Sequence, residues 1–120
     1  MVSKKELRPE VHSEPSINEL ETFQNEVLRP ILKLQNDNLQ LLFTIYLKNK
    51  KQNFEIKETT ERRQFIWNSL KKDLSLKNQL LGTVIGLLEH GELSFYLENE
   101  QELSKRINGM LIKRIESKYC

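Results

Sequence analysis

The chain has 120 residues, of which 38% are apolar and 30% charged, with only four glycines and three prolines. That is enough for one hydrophobic core and too little for a second catalytic domain beside it, and the apolar share excludes disorder throughout. A net charge of +2, from 19 Lys and Arg against 17 Asp and Glu, supplies no strong field for nucleic acid, a membrane surface or an acidic partner.

The single cysteine, Cys120, excludes an internal disulfide and a cysteine-based zinc site, and a reducing compartment suits such a chain. The opening stretch MVSKKELRPEVHSEP lacks the apolar run of a signal peptide. The longest apolar run, LLGTVIGLL, falls far short of the ~20 residues that span a bilayer. The expectation is a soluble, cytoplasmic protein without membrane contact.

Residues 1–15 are charged, carry Pro9 and Pro15 and show no apolar period, so they are expected to form a flexible tail ahead of a single helical-bundle domain at 16–120. SINE has the form of a capping box from Ser16 to Glu19. From there Ile17, Leu20, Val27, Ile31, Leu34, Leu41 and Ile45 recur at steps of three, four or seven, a helical stripe that keeps phase across Pro30. The kept phase predicts one long helix kinked at Pro30, where the missing N–H leaves the Glu26 carbonyl without a partner. A break, with Pro30 opening a new helix, is the alternative.

The period fades in KNKKQNFEIK. A second helix is expected from Thr59 or Thr60, carrying Phe65, Ile66, Trp67 and Leu70, with Asp73 and Ser75 marking a turn and a fresh cap. A third, 76–90, is apolar on most of its circumference and belongs at the centre, with Gly91 as its terminator. ELSFYLEN holds a short helix facing Leu93, Tyr96 and Leu97 inward. Asn99 caps a last helix, with Glu102 three residues on, through Leu103, Ile107, Met110, Leu111 and Ile115. Acid at the start of this segment and base further along follow the helix dipole. The predicted architecture is all-α, a bundle of four to five helices with one long helix kinked near Pro30 and a central apolar helix.

The long helix contains four consecutive polar residues, Gln35, Asn36, Asp37 and Asn38. Four residues sweep ~300°, more than the gap beside an apolar stripe, so at least one must face the core. With Ile31 at the stripe's centre, Asn38 falls about 20° away and Gln35 about 40° away. Gln24 lies in the same stripe. These amides are expected to pair among themselves, with Asn78 or Gln79, with backbone or with trapped water. The alternatives are self-pairing across a dimer seam and a polar ligand pocket; each amide left unpaired costs on the order of 1–3 kcal/mol.

Arg114 sits in the apolar stripe of the last helix and either snorkels to water or pairs with Asp37 or Asp73. The candidate buried polar site is therefore Gln24, Gln35, Asn38, Asn78 and Arg114. Arg29, Lys33, Asn36 and Gln40 form an outward row, read as solvated surface, beside which Leu32, Phe43 and Leu47 extend the apolar sector.

No enzymatic constellation emerges. GTVIG, Gly82 to Gly86, is a small-xxx-small spacing for close helix approach rather than a phosphate loop. His12 and His90 stand apart, without a metal-binding helix motif, and His90 is read as a cation at a helix C-terminus. No base is matched to a serine or cysteine nucleophile. Lys48, Lys50, Lys51, Arg62, Arg63, Lys71 and Lys72 offer phosphate contacts, but the helix placed to read a groove is the most apolar one.

LRPILKLQND, KKDLSLKNQLLGTVIG and LSKRINGMLIKR, in that order, resemble a small bacterial family of short all-helical proteins without an established function, over most of 16–118. The resemblance emphasises Arg29, Pro30, Gln35, Asn36, Asn78, Gly82, Gly86 and Arg106. Some members are labelled glyoxalase, which implies a βαβββ metalloenzyme with His and Glu ligands; this sequence offers neither the strands nor a second well-placed His, and no ligand is carried over. The function expected is a non-enzymatic interaction or oligomerisation module, without cofactor, a homodimer or a binder of a protein partner. A small-molecule pocket or enzyme at Gln35, Asn38 and Arg114 is the first alternative, and weak nucleic-acid binding the second.

Overall fold

The computed structural model describes residues 18–120 and is all-helical, with no strand among them. The expected tail and the Ser16 half of the capping box lie outside the described residues. Asn18 takes the capping role, its Oδ1 accepting from Glu21 N at 2.8 Å, and opens α1 (Glu19–Phe23).

The chain then widens into a π turn, Gln24–Leu28, before α2 (Arg29–Leu34). The Arg29 N–H reaches back five residues to the Gln24 carbonyl. Pro30 follows at once as the second residue of α2, buried. A proline ring collides with the carbonyl four residues back in an α-helix, and a widened turn moves that carbonyl away. The kink expected at Pro30 is thus corrected to a π turn ahead of it.

Gln35, at φ −91° and ψ 4°, separates α2 from α3 (Asn36–Asn49). Helical spacing persists across it, because Gln35 N donates to Ile31 O and Leu39 N to Gln35 O, both at 2.9 Å. At the far end Lys51 N reaches Lys48 O at 3.0 Å and Gln52 N reaches Leu47 O at 2.9 Å. This is a Schellman closure, with Lys51 at φ 55° in the left-handed position that glycine usually fills. A 3₁₀ turn, Phe54–Ile56, then drops Phe54 into the core.

Asp73 joins α4 (Thr59–Lys72) to α5 (Leu74–Ile85). Its N–H closes the first helix on Ser69 O at 3.0 Å, and its Oδ1 caps the second by accepting from Leu76 N at 3.1 Å, as the sequence predicted. α5 ends at Gly86 rather than Gly91. The cause is a capping box between Glu89 and Glu92 that starts α6 (His90–Glu98) and puts Gly91 in its first turn and His90 at its N-terminus. Tyr96 is buried and Leu93 partly so, but Leu97 is exposed. α7 (Glu100–Tyr119) begins as expected after Asn99, whose amide instead turns back to Phe95 O at 3.0 Å.

α7 packs on α3, α4, α5, α6 and the π turn, burying Leu103, Ile107, Leu111 and Ile115. It is the central helix. The helix expected there, α5, buries one face through Leu76, Leu80 and Val84 and leaves Leu74 exposed. The last turn of α7 is docked by Tyr119, whose ring meets Phe43 and Phe54 and whose carbonyl accepts from Arg62 Nη1 at 3.0 Å.

Candidate functional site

The largest departure from expectation concerns the direction of α3. Its buried residues are Leu39, Gln40, Phe43 and Leu47, continuing Leu28, Ile31 and Leu32 from the preceding turns. Leu34, Leu41 and Ile45, expected inside, are 40%, 58% and 46% exposed. Leu20, upstream of the π turn, and Val27, within it, do pack against the core. A π turn adds one residue, rotating everything after it by about 100°. Ile31, just past the turn, is still buried, and from Leu34 onward the stripe faces solvent.

The exposed residues share one line with Asn38, also exposed. At about 100° per residue, Leu34, Asn38, Leu41 and Ile45 lie within roughly 60° of one another, opposite Phe43 and Leu47. Their spacing is four, three, four. In heptad notation the leucines take d, while Asn38 and Ile45 take a.

The amides expected to form one buried seam are divided between two ties, and Asn36, expected outside, makes a third. Gln24, half-buried, accepts from Arg106 Nη1 at 2.9 Å and holds the π turn to α7; Arg106 Nε also meets Glu102 at 3.2 Å. Gln35, half-buried at the helix break, donates to Thr83 O at 3.3 Å, joining α5, and its Oε1 accepts from Asn38 Nδ2 at 3.0 Å. Asn36 Oδ1 accepts from Arg114 Nη1 at 3.4 Å. Asn78 lies exposed on α5 and takes part in none of these ties.

Arg114 is half-buried, with neither Asp37 nor Asp73 as its partner. Burial, and then the charge of Arg29, hold its pKa below the ordinary guanidinium range. The buried polar groups that periodicity missed are Asn25, Gln40, Ser69 and Asn108. Gln40, placed by the sequence in the outward row, donates Nε2 to Arg114 O at 2.7 Å, and Asn108 Nδ2 donates to Leu70 O at 3.2 Å. A single shift of phase accounts for Gln40 entering the core and Asn38 leaving it.

Gly82 and Gly86 are both exposed, and a Cβ added at Gly82 meets nothing within 4 Å. The close helix approach expected at GTVIG is absent; Gly86 ends α5 and sits against the Gly82 carbonyl of its own turn, at 3.0 Å from where a Cβ would lie. Among the described residues no group of three or more His, Cys, Asp or Glu could hold a metal. No described helix is long and apolar enough to cross a membrane. Comparison with protein-family models, curated proteins and solved structures found no match. The α2–α3 face presents apolar side chains in heptad register around one amide.

Proposed function

We propose that the protein is a non-enzymatic association module whose outward α2–α3 stripe docks a second copy of the same chain. The observation that carries this is the heptad Leu34, Asn38, Leu41, Ile45, pointing away from the protein's own core. Leucine at d and a β-branched residue at a favour two parallel strands, and one asparagine at a fixes register. In a parallel pair Asn38 meets Asn38 of the partner subunit. In an antiparallel pair it would meet leucine and lose its partner, at a cost of on the order of 1–3 kcal/mol.

Lys48, at the next d position, closes the seam by bringing like charges together. Two heptads form a small interface, below the ~1,200–2,000 Å² of stable complexes, so dissociation is expected on the order of micromolar. Helix formation adds no cost to docking, because the core already holds α3. Cross-linking mass spectrometry with a cysteine placed at Asn38 tests orientation: a disulfide between the two Asn38→Cys chains supports the parallel pair. Efficient linking of Leu34→Cys to Ile45→Cys instead would overturn it.

A further inference from the structure

A second face carries an unspent chemistry. Arg29 and Lys33 project from α2, and Lys113 and Arg114 from α7, around a groove of about 320 Å³ whose apolar wall is Leu32 and Met110. Among the described residues, ion pairs join Lys50 to Asp73 and Arg106 to Glu102, while none of these four cations has a carboxylate within bonding distance. Arg114 also borders an adjoining depression of about 480 Å³ with Asn36, Asp37, Gln40 and Lys118, whose one carboxylate turns an anion toward the Arg29 side. It is half-buried, and its one protein acceptor is Asn36 Oδ1 at 3.4 Å. A guanidinium offers five donors in a fixed fork.

We infer that this groove binds the phosphate group of a small phosphorylated organic ligand, with Arg114 as its central donor and the half-buried Met110 against the ligand's apolar part. A dianion fits the count of cations better than a monocarboxylate, which would leave most of the charge uncompensated. Burial and the Arg29 charge disfavour the Arg114 cation when the groove is empty, and an anion between the two arginines reverses the second effect. Cations converging on a concave apolar wall suit a compact ligand. A nucleic-acid strand asks for a track of phosphate contacts, with stacking aromatics.

The groove lies beside, not on, the Leu34–Ile45 stripe, so the inference stands apart from self-association. Isothermal titration of the full chain with phenyl phosphate, benzoate and inorganic phosphate tests it, with a short oligothymidylate and phosphatidylserine vesicles as further arms. Saturable binding of phenyl phosphate, one per chain and at least tenfold tighter than benzoate, is expected. Arg114→Gln should weaken it tenfold or more, Arg29→Gln and Lys113→Gln, both exposed, severalfold each, and Ile45→Glu, on the stripe but lining neither depression, not at all. The two exposed variants keep the test decisive if Arg114→Gln fails to fold. Absence of phenyl phosphate binding, binding indifferent to all three variants, or binding confined to the oligonucleotide or the vesicles would overturn the inference.

Discussion

Asp73 joins several interactions at one carboxylate. It caps α5 through Leu76 N, accepts from Tyr46 OH on Oδ2 at 3.1 Å, and lies 3.9 Å from Lys50 Nζ. The Leu76 N–H, then Tyr46 and Lys50, hold its pKa below the ordinary aspartate range against the opposing effect of burial. A depressed folded value means that the unfolded chain takes up protons first as pH falls. The stabilisation is complete above the ordinary aspartate value and is lost as pH drops through the folded one. Asp73→Ala should cost about 1 kcal/mol at neutral pH, a melting point lower by about 4 °C, with the gap to wild type narrowing below about pH 4. Thermal melts across a pH series check both size and direction; a gap that widens in acid would contradict the assignment.

At the scale of the element, legibility depended on whether a signal was local. The Asp73 cap, the start of α4 at Thr59 and the apolar stripe of α7 follow from short-range spacing, and the structure places them where the sequence did. The direction of α3 does not, because its phase is set by a π turn whose trace in the sequence is only the proline that follows it. Apolar periodicity also cannot tell a face buried in its own core from one left exposed, which is why it places Leu34, Leu41 and Ile45 inside and Gln40 outside. The end of α5 was misplaced for a local reason, since Gly91 is the more conspicuous terminator but the Glu89–Glu92 box acts first.

Two substitutions test these element-level assignments. Gly82→Ala, in an open helical position, should stabilise by about 0.5–1 kcal/mol; a loss would restore the close helix approach once expected there. Lys51→Gly should stabilise by on the order of 1 kcal/mol by relieving the left-handed backbone at the close of α3, measured by urea denaturation. An unchanged midpoint would argue against the Schellman closure.

For the whole molecule, α7 holds the π turn, α3, α4, α5 and α6 around one core, and that organisation leaves α3 supported on one side and bare on the other. Stability and association should therefore separate. Leu41→Glu alters a residue that is 58% exposed and should leave the melting point of the single chain within about 0.5 kcal/mol of wild type while preventing docking. Asn38→Leu should keep the fold and strengthen or scramble association, because it removes the one polar group that fixes register. Light scattering of the native mass over a dilution series, with reductant present to keep the exposed Cys120 from linking chains, tests the central claim most directly. The account predicts a mass rising from one chain to two with concentration in the wild type, and one chain throughout in Leu41→Glu. A wild type that stays at the mass of a single chain up to millimolar concentration would contradict it.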